Sequence, residues 1–175
     1  MKVIFFILLS ILLLGCMEKK TIEIQQKPPT EKISNLVRKV PIALSDVGYQ
    51  NFETQLFSHR ETLDHFLSTI KTEKNWQKKE NFLESIEVAS MDFEKENLLI
   101  YRFDEQKGSI VLAVDVPTEL NKHLFVHIGK EKPKREVSKE YIPYAVAYIV
   151  NKSIVDITFN DNDTNITIPN KEELE

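Results

Sequence analysis

Histidine, serine and carboxylate side chains are the groups here whose chemistry could be catalytic or metal-binding, and their spacing decides how far that goes. His123 and His127 lie four apart in His-Leu-Phe-Val-His. On a helix, histidines at i and i+4 share a face and can hold one zinc. The residues between them alternate as in a strand, with Leu124, Val126 and Ile128 on one side. On a strand, four residues span about 13 Å at about 3.3 Å each. A metal bound about 2.0–2.1 Å from each nitrogen cannot bridge that gap. The strand reading rejects the chelate and puts both histidines on an outward face with Phe125. His59 and His65 fall beside and on a predicted helix, off its apolar stripe, and are expected to face solvent. No nucleophile-elbow pattern surrounds a serine. Carboxylates are plentiful but scattered, and no acid pair can be singled out. Beyond residue 15 the glycines are Gly48, Gly108 and Gly129, too few and too far apart for a phosphate loop or dinucleotide fingerprint. These residues point to a non-enzymatic protein with no cofactor and no metal.

The elements that carry these residues follow from periodicity. Residues 37–44 are apolar around Pro41, which suits an edge strand because proline cannot donate to a central ladder. Residues 52–57 form a second strand candidate. Ser58 and Glu61 read as a capping box, with Ser58 as N-cap. Leu63, Phe66, Leu67 and Ile70 then recur at i, i+3, i+4 and i+7, predicting a helix over 59–71. A weaker helix covers 75–84, with Trp76, Phe82, Leu83 and Ile86 as its apolar contacts. From residue 97 the period becomes two. Strands are predicted over 98–103, 109–116 and 123–128, with Ile110, Leu112, Val114 and Val116 sharing a face. Residues 144–150 and 154–159 read as a hairpin across Asn151-Lys152-Ser153. In 144–150, Ala145, Ala147 and Ile149 share one face, small enough for a helix to approach closely. The fold class expected is α+β: an antiparallel meander sheet of about five to six strands with one or two helices packed on one face. The folded unit is expected over 36–160, and the polar, acidic stretch 161–175 is expected to be poorly ordered.

Cys16 is the only cysteine, so a disulfide within the chain is excluded. It follows a lysine, an apolar run over residues 3–14 and Gly15. Twelve helical residues span about 18 Å at about 1.5 Å each, short of a bilayer core of about 30 Å. The run therefore fits a cleaved leader over residues 1–15. Leu13-Leu14-Gly15-Cys16 resembles a bacterial lipobox, which implies that Cys16 is acylated (palmitate among its chains) and becomes the new N-terminus. The alternative is a secretory leader with a chance cysteine. Stable anchoring takes more than one acyl chain, and the lipoproteins this resembles carry three or two. The resemblance implies a membrane-anchored protein of the bacterial cell envelope, at the outer membrane or the periplasmic face of the inner membrane. Residues 16–35 are Lys/Glu/Gln-rich with Pro28-Pro29, and read as a flexible tether. The formal charge of the chain is −4, and removing the leader takes away Lys2 alone among charged residues. A mildly acidic chain carries no bias toward nucleic acid.

A second resemblance rests on Leu56-Phe57-Ser58, the helix that follows, Met91-Asp92-Phe93 with the strand beyond it, and Ile142-Pro143-Tyr144 with its strand. Together they resemble the C-terminal domain of the PrcB-type protease-complex stability lipoproteins, over about residues 55–159. Members of that family often carry Gly-Gly-Tyr where this chain has Lys107-Gly108-Ser109. The resemblance implies an accessory role, binding or stabilising an exported protease or another envelope protein. Two surfaces are candidates for that contact. Lys130, Lys132, Lys134 and Arg135 make a basic stretch between two strands, read either as a solvated loop or as a docking site for an acidic partner or lipid headgroups. Tyr144 and Tyr148 share a strand face, read either as core or as partner surface. The alternative function is a small-ligand-binding lipoprotein with a pocket between helix and sheet.

Overall fold

The computed structural model describes residues 35–131, 139–161 and 164–171. Among the described residues the strands are β1 (Val37–Val40), β2 (Gln55–Phe57), β3 (Glu96–Gln106), β4 (Ile110–Val114), β5 (Thr118–Leu120), β6 (His123–Glu131), β7 (Tyr141–Asn151), β8 (Asp156–Asn160) and β9 (Asn165–Pro169). A 3-10 helix spans Val47–Asn51, and the two α-helices are α1 (Arg60–Thr72) and α2 (Lys79–Glu87). The class is α+β. The strands form two sheets instead of one meander, one in the order β1-β7-β3-β2 and the other β4-β6-β8-β9 with β5 also on β6. The helices lie on one side of the first sheet and the second sheet lies on the other.

β7 explains this layering. Ala145, Ala147 and Ile149 face the helices, where their small side chains let Leu63, Phe66 and Phe82 close in. Val146, Tyr148 and Val150 face the second sheet and meet Leu124, Val126, Ile157 and Phe159. A strand buried on both faces needs a nearly continuous apolar run, as β7 has. β7 does not form a hairpin with β8. It pairs antiparallel with β1 and β3, while β8 pairs parallel with β6. Parallel neighbours need a crossover, and here β7, lying in the other sheet, is that crossover.

The predicted hairpin turn is therefore a corner between sheets. Asn151 Oδ1 accepts from Ser153 N at 2.9 Å, which turns the chain out of the first sheet. Buried Asn170 then donates to Asn151 O at 3.0 Å and Ile154 O at 3.1 Å. Asn97 on β3 donates to Asn170 Oδ1 at 3.0 Å. One amide thus joins both sheets at the corner. The stretch expected to be poorly ordered supplies that amide and β9, whose Ile166 and Ile168 pair across from Phe159 and Ile157.

Other boundaries move for local reasons. β2 continues to Phe57, so the N-cap of α1 falls on His59, one residue after Ser58, and no side-chain cap bond forms there. α2 runs later than predicted because its start is set by Asp46, whose buried carboxylate accepts Lys78 N at 2.7 Å and Gln77 N at 3.3 Å. A carboxylate is favoured at the positive end of a helix. The same group accepts Gly48 N at 2.9 Å, and Trp76 lies against Gly48, where a Cβ would come within 2.1 Å of indole carbons. On β4, a bulge between Val111 and Ala113 breaks the alternation. Val111 and Val114 face the core, while Ile110 and Leu112 are turned to solvent. The shared face predicted for 110, 112, 114 and 116 is lost to that one extra residue.

Candidate functional site

The histidine row lies where the strand reading put it. Leu124, Val126 and Ile128 are buried, and His123, Phe125 and His127 occupy the opposite, outer face of β6. The parallel register sets His123 beside Asp156 and His127 beside Asn160. His123 Nδ1 lies 2.8 Å from Asp156 Oδ1, and His127 Nδ1 lies 3.3 Å from Asn160 Oδ1. Each histidine is thus tied to its own cross-strand neighbour, with Phe125 between them. No group of three His, Cys, Asp or Glu residues suited to a metal occurs among the described residues.

Lys130 is not in a loop. It lies on β6 with its side chain buried between the sheets, bonded to Glu105 Oε1 of β3 at 2.9 Å and to Asp161 Oδ2 at 2.8 Å. Burial pulls the ammonium pKa down, but the hydrogen bonds and charges of Asp161 and Glu105 together outweigh it and hold the pKa well above its ordinary value. The alternation of β6 explains the placement, since Lys130 shares the inward side with Ile128. A buried, fully engaged lysine is no docking residue. Lys132, Lys134 and Arg135 fall outside the described residues, as does Cys16.

Tyr144 and Tyr148 are core residues. Tyr144 stacks on Phe103 at 5.4 Å, and Phe103 on Tyr101 at 5.6 Å, in a file that ends against Phe159. Tyr148 is fully buried between the sheets, and its hydroxyl has no hydrogen-bond partner among the described residues. Burial, then the nearby Asp115 charge, pushes its pKa up. Neither tyrosine presents a surface to a partner.

Among the concave features, one groove of about 560 Å³ lies between β1 and α2, and another of about 540 Å³ lies between β2 and α1. β2 is the end strand of the first sheet, so the groove runs along an open sheet edge. Phe52, Phe57 and Phe66 make its floor, with Phe57 and Phe66 centroids 5.0 Å apart. Gln55, His65 and Thr69 are among its rim residues. His65 is exposed, as expected, but it belongs to this rim. A signal for the groove was present in the sequence. Thr62, His65 and Thr69 fall at i, i+3 and i+7, an uncharged stripe on a helix whose other exposed positions include Arg60, Glu61, Asp64 and Lys71. A helix face spared from charge beside an edge strand is suited to cover by something else.

No family model, no curated protein and no solved structure matches this chain. No helix among the described residues is long and apolar enough to cross a membrane.

Proposed function

We propose that this chain is a lipid-anchored, non-enzymatic protein of the bacterial cell envelope whose folded domain binds or stabilises a partner protein. The groove between β2 and α1 carries the reading, because it combines an open strand edge, an aromatic floor and an uncharged rim. An extended segment of the partner adds to β2 through main-chain hydrogen bonds and sets an apolar side chain on Phe57 and Phe66, a recurring mode of peptide recognition. Leu13-Leu14-Gly15-Cys16 supports the anchor. The resemblance to the PrcB-type domain suggests an exported protease or another envelope complex as the client.

The test is crosslinking in intact cells with a photoreactive residue at Thr69, followed by mass spectrometry. One dominant envelope protein is expected, and its loss when Gln55→Pro blocks the strand edge. Diffuse labelling that the proline leaves unchanged overturns the reading. Cys16→Ser tests the anchor separately, through loss of palmitate labelling and of membrane fractionation.

A small ligand in the same groove is the second reading. The volume lies within the range of about 300–1,000 Å³ usual for such sites. A metabolite that raises the melting temperature of the wild type and not of Thr69→Trp favours it.

A further inference from the structure

We infer that residues 21–25 of this chain, which precede the folded unit, add to the outer edge of β1 as an antiparallel strand and close the groove between β1 and α2. β1 ends the first sheet. Asn151 N donates to Leu36 O at 2.9 Å, so by alternation Leu36, Arg38 and Val40 aim their backbone groups at β7. Val37 and Lys39, between them, aim theirs away from the sheet. The groove of about 560 Å³ lies beside this edge, on the helix side of the sheet. Val40, Val88 and Ala89 are among its lining residues, and Val88 is 72% exposed. The Arg38 guanidinium is held by Ser90 O at 2.8 Å and Glu96 Oε2 at 3.0 Å, so it does not guard the edge with a free charge.

The chain that leads into β1 has the sequence this edge requires. Thr21-Ile22-Glu23-Ile24-Gln25 alternates polar and apolar, as a strand with one buried face does. Eleven residues, 26–36, separate it from Val37, enough to reverse the chain, and Pro28-Pro29 within them cannot continue a ladder. The one charge of the run, Glu23, belongs opposite exposed Lys39. That register sets Gln25 opposite Val37, so the two pairs exchange main-chain bonds at the groups β1 turns outward. It also sets Ile22 opposite Val40 and Ile24 opposite Arg38, on the helix side and over the groove. A slip of one residue turns both isoleucines away, and a slip of two parts Glu23 from Lys39. A segment joined to the edge it covers has a high local concentration there, which favours it over a foreign strand. With Cys16 anchored, docking shortens the leash from about 68 Å to about 17 Å, at about 3.4 Å per residue. That consequence rests on the proposed anchor, whereas the docking itself needs neither the anchor nor the groove beside β2.

Amide hydrogen exchange of the full chain in detergent micelles, read by NMR, tests this. Ile22→Asp together with Ile24→Asp is expected to speed exchange of the Val37 and Lys39 amides at least about tenfold. The Arg38 and Val40 amides, bonded to β7, are expected to keep their rates. Glu23→Lys is expected to speed the same two outward amides, and Glu23→Lys with Lys39→Glu to slow them again. Val37 and Lys39 rates indifferent to the two aspartates overturn the proposal. So does equal acceleration at all four amides, which would mean that β1 itself leaves β7, or a charge swap that fails to restore protection. Protection lost on dilution overturns it as well, because a second copy would then be the occupant. The readout involves no acyl group, so a failure here leaves the anchor and the proposed function standing.

Discussion

On the helix side of the four-stranded sheet the core is mainly apolar and aromatic, with Tyr49, Phe52, Phe66, Trp76 and Phe82 packed edge to face and tilted about one another, and its buried polar groups include the backbone-bonded Asp46 carboxylate and Trp76 Nε1. On the opposite side the core includes the Lys130–Glu105–Asp161 cluster, the Asn97–Asn170 amides and the unpartnered Tyr148 hydroxyl. The difference follows from how each side is assembled. The helix side is covered by segments whose own periodicity makes them amphipathic. The other side joins strands far apart in sequence, and hydrogen bonds fix their register at the corner and at the ends of β3 and β6. Apolar packing tolerates repacking of similar volume, whereas a buried charge tolerates no loss of its partner. The two sides should therefore fail differently.

Lys130→Ala is the strongest way to break the sheet–sheet side. It leaves Glu105 and Asp161 facing each other without their cation, and about 3–5 kcal/mol of stability should be lost. Urea unfolding measures it, and a loss under about 1 kcal/mol would mean that water reaches both carboxylates. The counterpart on the helix side is Gly48→Val, which drives a side chain into Trp76. Overpacking of this kind costs about 1–3 kcal/mol. A blue shift or quench of the single tryptophan's fluorescence should accompany it, and an unchanged spectrum with full stability would show that the ring moves freely. Tyr148→Phe should do the reverse and stabilise by about 1 kcal/mol, because it removes a buried hydroxyl that gains nothing. A destabilised variant would reveal a partner for that oxygen.

Two pH effects sharpen the comparison further. Tyr101 is pushed up to about 12, by burial first and then by Asp161. The unfolded chain therefore gives up this proton first, near 10, and stability should fall as pH rises from there toward 12. Tyr49 on the helix side is raised for the same leading reason and adds to the fall. The urea midpoint at about pH 9 and about pH 11 tests this, with Tyr101→Phe expected to flatten the slope. The smallest effect is at acid pH. The carboxyl of exposed Asp92 is lowered by its bond from Lys95 and then by Glu94 N. That contribution is present above the ordinary carboxylate pKa and is lost as pH falls through the lowered one. Asp92→Asn should remove a small part of the acid sensitivity, and salt should mask it.

What could be read from the sequence follows the same division. The stripe of α1 and the small-residue face of β7 were legible, because a helix period and a two-residue alternation are local signals. The inward side of β6 was legible at Leu124, Val126 and Ile128, yet Lys130 was read with the basic residues beyond it although it continues that side. The bulge in β4 inverted half of a strand, and an inserted residue leaves no mark in composition. The turn at Asn151 looks like a hairpin because turn chemistry does not say which sheet the next strand joins. β9 was missed since Ile166 and Ile168 sit in a polar stretch and gain meaning only across from Phe159 and Ile157. Of the candidate site, the aromatic floor was visible as residues and its concavity was not, because that depends on β2 having nothing on its far side.

β7 is the middle of one sheet and the route into the other, and it occupies residues 141–151 of a chain of 175. Synthesis runs from the N-terminus at about 5–20 residues per second. Everything up to residue 140 is thus made before the strand on which both sides are built. Until residue 151 has been made, the strands before β7 lack the neighbour that both sides are built on. A premature stop before Asn170 would then forfeit the amide that ties the sheets together, and would damage far more than the last strand.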